Sequence, residues 1–314
     1  RTYQLSTSSL ERQLIHFAIR QAAVMLSTLS VSLLAFSAPQ TEESLSNAFS
    51  TKFLVGAALG PNHYSGVEAQ VVSQHFNAIV AENAMKSMYI QPRRGEFYWD
   101  DTDLFVAFGE AHNMHMTGHT LVWHQQHPDW LFIDEHGVDV SRDVLLDRME
   151  THITAVMSRY KGRVHSWDVV NEAVLEDGRM RQNKFFEIIG PDWVEHMFRF
   201  AEKADPQAKL YYNDYLMTVP AKREAVYRLI QSIQSKGGRV DGIGMQQHVS
   251  LKYPALADIE DSIIRFSALG DVLITELDVS VLPVPRNDFA ANVSKAFGFK
   301  PDLDPYANGL PPKV

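Results

Sequence analysis

The sequence predicts an α/β protein built as a (β/α)₈ TIM barrel that is incomplete at its C-terminus, with seven of the eight strands present. Three observations carry this. Seven apolar, strand-like runs, at residues 55–60, 78–83, 117–124, 165–172, 209–214, 241–248 and 272–278, alternate with amphipathic stretches, and such alternation builds a parallel sheet. The runs recur about every 36 residues, a spacing that suits the βα unit of a barrel. Nearly every run is apolar at its start and polar at its end: Glu82-Asn83, His119 with Trp123 and His124, Asn171-Glu172, Asn213-Asp214, Gln246 with His248, and Glu276 with Asp278. In a barrel those ends gather at one face and carry the chemistry. The rival, an open doubly wound sheet, needs a Gly-rich phosphate turn after its first strand. Gly56-Ala57-Ala58-Leu59-Gly60 lacks that pattern.

Composition bounds the rest. A chain of 314 residues with 45% hydrophobic content can bury one large core. A formal charge of −9 without any Lys/Arg run argues against nucleic acid as a partner; a neutral polymer such as carbohydrate fits better. Cysteine is absent, so disulfides and thiolate chemistry are excluded.

In chain order, residues 1–37 read as a signal peptide. A basic, polar opening is followed by an uncharged stretch centred on Ala22-Ala23-Val24-Met25-Leu26 and Val31-Ser32-Leu33-Leu34-Ala35-Phe36. Ala35 and Ser37 supply the small residues of a cleavage site after Ser37. Export to the periplasm or medium is therefore expected, without lasting membrane anchoring, because the stretch is short and Ser/Thr-rich for a span. Residues 38–48 read as a linker and 49–314 as the barrel, truncated at its C-terminus. Between the strand-like runs, Leu145, Met149, Ile153 and Val156 mark one helix, and Val226, Leu229, Ile230 and Ile233 another. After Asp278 the chain holds six prolines and no strand-like run. Residues 279–314 therefore read as a long loop that breaks off before the eighth strand, and the chain as written is expected to fold poorly.

Two runs share one grammar. Trp167-Asp168-Val169-Val170-Asn171-Glu172 and Val272-Leu273-Ile274-Thr275-Glu276 each place a glutamate at the end of an apolar run. Two carboxylates on one barrel face suggest an acid–base pair, and the indole and uncharged donors around them suit a sugar ring and its hydroxyls.

At this point the sequence resembles glycoside hydrolase family 10, mostly endo-β-1,4-xylanases, from about Leu45 to Pro312. The segments that carry the resemblance are Glu82-Asn83-Ala84-Met85-Lys86, Gly118-His119-Thr120-Leu121-Val122-Trp123-His124, Trp167 to Ala173, Tyr212-Asn213-Asp214-Tyr215, Gly244-Met245-Gln246-Gln247-His248 and Thr275-Glu276-Leu277-Asp278. The resemblance implies a retaining endo-β-1,4-xylanase acting on xylan or xylo-oligosaccharides, with Glu172 as acid/base and Glu276 as nucleophile. In such enzymes the two carboxyls stand about 5–5.5 Å apart and a covalent glycosyl intermediate forms. It further implies that Glu82, Asn83, Lys86, His119, Trp123, Gln126 and Asn171 bind the glycone, that Gln246 and Tyr215 line the same cleft, and that His248 holds Glu276 and is oriented by Asp278. No cofactor or metal is implied, and a monomer is expected.

Two other readings compete. A barrel metallohydrolase would use the histidines at 112, 115, 119, 124 and 127, but a paired His-x-His at the end of the first strand is lacking and the Asn-Glu pair would be idle. A non-catalytic carbohydrate-binding protein or inactive remnant is the third. Ser87, His127 and Gln247 depart from residues common in the family and are candidates for tuning the subsites.

Overall fold

The computed structural model describes residues 44–251 and 253–280. The readings of a signal peptide over 1–37 and of a barrel that breaks off beyond 280 lie outside the described residues. The linker reading gives way at Ser44, whose Oγ accepts from Asn47 N at 3.1 Å and caps a short helix at Leu45–Ala48. A side-chain cap satisfies an orphan N–H that a linker leaves to water.

Seven strands form one parallel sheet: β1 (Gly56–Leu59), β2 (Ala78–Ala81), β3 (His115–Trp123), β4 (Ser166–Asn171), β5 (Lys209–Asp214), β6 (Gly242–Met245) and β7 (Asp271–Ile274). Each pairs with the next in chain order. That order is the barrel plan, since a doubly wound sheet reverses its strand order partway. Among the described residues, the longer helices that connect them are α1 (Gly66–His75), α2 (Asp100–Ala111), α3 (Arg142–Arg159), α4 (Trp193–Ala204), α5 (Pro220–Ser235) and α6 (Leu256–Ser267).

The sequence explains the helices locally. Ser141 caps α3, Asp143 lies in its first turn and Arg159 in its last, each sign complementing the helix dipole. Leu145, Met149, Ile153 and Val156 then fall on one buried stripe. In α4 the buried stripe is Trp193, Val194, Met197, Phe198, Ala201 and Ala204. Pro220 opens α5, where its missing N–H costs nothing. Each fully buried aliphatic or aromatic side chain contributes about 1.5–3 kcal/mol.

Every residue of β4 is buried, as a strand covered on both faces requires. Trp167 on β4 packs where Gly118 on β3 has no side chain; a Cβ there would stand 2.1 Å from Trp167 Cε3. The β3–β4 and β4–β5 ladders each shift register, between His119 and Val122 and between Asp168 and Val170. Such bulges re-aim side chains near active sites. Beyond them, Trp123, Asn171, Asn213 and Gly244 lie side by side across four strands.

Two runs end three or more residues earlier than the sequence pattern suggests. β6 stops at Met245 and β7 at Ile274, so Glu276 stands past its strand. The expected loop from 279 also begins with structure: Asp278–Ser280 pairs in parallel with His248–Ser250 as a small second sheet. Backbone hydrogen bonds between these two extensions satisfy groups that a loop leaves to solvent.

Candidate active site

The C-terminal ends of β3 to β6 carry four non-glycine residues with positive φ: Gln126 at 47°, Glu172 at 60°, Leu216 at 48° and Gln247 at 61°. Left-handed backbone of this kind is disfavoured for L-residues and persists where surrounding contacts over-determine it. Here it turns the chain as each strand leaves the sheet.

Two side chains hold Glu276, and a third orients one of them. Asn213 Nδ2 donates to its Oε1 at 2.7 Å, and His248 Nε2 lies 3.4 Å from its Oε2. His248 Nδ1 meets Asp278 Oδ2 at 2.5 Å, so the imidazole bridges two carboxylates. Burial alone pushes the Glu276 carboxyl up, but the His248 hydrogen bond, the charge of His119 and the Asn213 donor outweigh it and bring its pKa down to about 2. The Glu276 hydrogen bond and, behind it, Asp278 raise His248 to about 9 against the effect of its burial. At neutral pH the pair is carboxylate and imidazolium.

Glu172 is buried. Its Oε1 accepts from Gln246 Nε2 at 3.1 Å and Asn171 Nδ2 at 3.3 Å, and His124 Nδ1 stands 3.9 Å from Oε2. Burial, then the charge of Arg181, drives His124 down to about 3, so it faces Glu172 as a neutral ring.

Three amides connect the carboxylates. Asn213 Nδ2 and Gln246 Nε2 both donate to Asn171 Oδ1, at 3.0 and 3.1 Å. A reversed Asn171 amide would accept from Trp123 Nε1 at 3.3 Å and donate to Asn213 O at 3.2 Å. It would also set its NH₂ against two other amide donors. Asn213 cannot turn to relieve that clash, because its oxygen accepts from Thr275 Oγ1 at 2.7 Å while its nitrogen serves Glu276. The Asn171 oxygen therefore faces the two amides.

On the other side of the face, Lys86 Nζ donates to Asn83 Oδ1 and Gln126 Oε1, both at 2.9 Å, and lies 4.9 Å from the Trp123 ring centroid. Burial lowers the Lys86 pKa, and Glu276, Glu82 and Glu172 oppose that shift, so the ammonium feels all three carboxylates. Glu82 is exposed beside it. Trp123 is buried at the end of β3. His119 lies in mid-strand, with its Nδ1 2.8 Å from Asp168 Oδ2. Tyr215 turns inward: its hydroxyl engages Arg181 and Glu176, and one ring face covers Lys222 Nζ at 3.5 Å.

Four participants were not singled out from the sequence. Asn213 was visible as a strand-end amide, yet its link to both Glu276 and Asn171 depends on register. Asp168 had a signal, a charge inside the run Trp167-Asp168-Val169-Val170. Its burial raises its pKa and the His119 hydrogen bond opposes that. His124 was visible at a strand end without an assigned role, and Arg181, whose Nε donates to Glu172 O at 3.0 Å, carried no signal. The histidines at 112, 115, 119 and 124 go separate ways: His112 packs on Phe108, His115 stacks on His165, and the other two meet Asp168 and Glu172.

Comparison with known proteins gives this site its context. Residues 44–297 match the model of Glycosyl hydrolase family 10. The chain is 46% identical over 275 residues to Endo-1,4-beta-xylanase A of Xylanibacter ruminicola, covering 86% of this chain and 74% of that protein. It is 43% identical over 258 residues to an Endo-1,4-beta-xylanase of Geobacillus stearothermophilus, covering 79% and 76%. Among solved structures, a GH10 endoxylanase retrieved from sugarcane soil metagenome superposes with a TM-score of 0.79 at 37% identity, covering 85% of this chain and 79% of that one. With strand order, site and sequence all in agreement, the chain belongs to glycosyl hydrolase family 10.

Proposed function

We propose that this protein is a retaining endo-1,4-β-xylanase that cleaves internal bonds of xylan by double displacement, with Glu276 as nucleophile and Glu172 as acid/base. The observation that carries the assignment is the asymmetry between the two carboxylates. Glu276 accepts from Asn213, faces an imidazolium and has its pKa brought down to about 2, so it is ionised and ready to attack C1. Glu172 is buried, takes only neutral amide donors and faces a neutral histidine, a setting suited to delivering a proton to the leaving oxygen. Water then attacks C1 of the glycosyl ester and its bond to Glu276 breaks, while Glu172 takes a proton from that water. Lys86, Asn83, Gln126 and the Trp123 ring form the polar and aromatic wall that would hold the glycone. The names of the relatives support xylan as the polymer.

The test is hydrolysis of xylan by the full chain, followed by proton NMR of the first-formed product. The β-anomer before mutarotation is expected; an α-product would overturn retention, and no turnover would overturn the reading. We also read residues 1–37 as an export signal and the exported protein as a monomer. N-terminal sequencing of secreted material, which should begin at Ala38, and its sedimentation at the mass of one chain test both.

A further inference from the structure

We propose that the buried ion pair Lys222–Asp214, acting through Tyr212 and Tyr215, is a positioning device for Glu172; the inference rests on the reading of Glu172 as acid/base. Lys222 Nζ lies 2.7 Å from Asp214 Oδ1, and both side chains are wholly inaccessible to solvent. Lys222 comes from the first turn of α5, where the helix dipole repels a cation, and among the described residues its Nζ has no other oxygen partner. Taking two charges out of water is poorly repaid in folding energy. A pair kept under those terms calls for another role.

Two routes lead from the pair to the peptide that follows Glu172. Along the first, Asp214 Oδ2 accepts from Tyr212 OH at 2.5 Å, and the same hydroxyl accepts from Ala173 N at 3.0 Å. Along the second, Lys222 supports the Tyr215 ring, Tyr215 OH accepts from Arg181 at 3.0 Å, and Arg181 Nε donates to Glu172 O at 3.0 Å. With Glu172 N donating to Asn213 O at 2.9 Å, the left-handed backbone of Glu172 is gripped on both sides.

The charges have a specific part in this. An ionised carboxylate only accepts, so Tyr212 must turn its single proton toward Asp214 and its lone pair toward the Ala173 N–H. A neutral carboxyl could donate instead and reverse that bond. Burial pushes Asp214 up to about 6, and Lys222 opposes the shift.

The experiment compares two variants of the full chain, the charge-free double Asp214→Asn/Lys222→Met and Tyr212→Phe, on substrates that differ only in their need for an acid. Misplacing a general acid should lower kcat on xylan and phenyl β-xylobioside about 10–100-fold. On dinitrophenyl β-xylobioside, whose glycosylation step needs no acid, kcat/KM, which excludes the later step in which Glu172 acts as base, should fall less than about threefold. Parallel losses on both leaving groups, as a merely structural role gives, would overturn the proposal, and so would no loss on either. If the double variant does not melt cooperatively, Tyr212→Phe decides alone by the same two criteria. Wild-type turnover of xylan, measured alongside, tests the enzyme reading separately.

Discussion

Asn213 Nδ2 stands 2.7 Å from Glu276 Oε1 and 3.0 Å from Asn171 Oδ1, so one amide ties the nucleophile candidate on the seventh strand's extension to the polar end of the fourth. Asn213→Ala removes a donor to the ionised form of Glu276, which raises its pKa. The acid limb of kcat/KM on xylan should move to higher pH, and kcat should fall about 10²-fold, the usual loss for one preorganised donor. A pH–rate profile superposable on wild type would refute this.

Gly244 leaves the space in which that amide sits. A Cβ there would stand 2.5 Å from Asn213 Oδ1 and 2.8 Å from Thr275 Cγ2. Gly244→Ala should therefore combine the Asn213→Ala activity loss with about 1–3 kcal/mol of destabilisation from overpacking. Chemical denaturation and xylan assays on the same sample check both.

For the carboxylates themselves, Glu276→Ala should abolish turnover of xylan and of activated aryl xylosides alike. Glu172→Ala should spare kcat/KM on substrates with good leaving groups far more than on xylan, by about 10²-fold or more, because their glycosylation step needs no proton. Equal residual activity of both variants on both substrates would reverse or remove the assignment.

His248 links the site to stability. Its folded pKa is raised from 6.5 to about 9, so its contribution is complete below pH 6.5 and is lost as pH rises through 9. Glu276, depressed from 4.5 to about 2, contributes above pH 4.5 and loses that as pH falls toward 2. Thermal melts of wild type should thus show Tm falling between pH 6.5 and 9, and His248→Asn should flatten that decline. An unchanged slope in the variant would place the titrating group elsewhere.

Exhaustive dialysis against a chelator should leave the rate of xylan cleavage unchanged, since the two glutamates need no metal. A large loss restored by zinc or manganese would revive a metallohydrolase mechanism.

Much of the design was legible in the chain. Glu172 and Glu276 stand out because an apolar β-branched run is a local pattern, and a carboxylate at its end is a local exception. The helix of Leu145, Met149, Ile153 and Val156 was legible for the same reason, a period set by backbone geometry. The limits of β6 and β7 were not, because polarity at residues 246–248 and 276–278 marks the site rather than the ladder.

What the sequence by itself determined is the list of units and the residue types offered at their ends: alternating strand and helix, two glutamates, amides, histidines and an indole, each written within a few neighbouring positions. Only the tertiary structure decided who meets whom. His119 finds Asp168, Asn213 finds both Asn171 and Glu276, and Lys222 finds Asp214 through strand register, two bulges and four left-handed residues. The physical reason is that a one-residue slip turns every side chain of a strand to its other face. Contacts between distant positions therefore depend on how the whole sheet is packed, which no local stretch encodes.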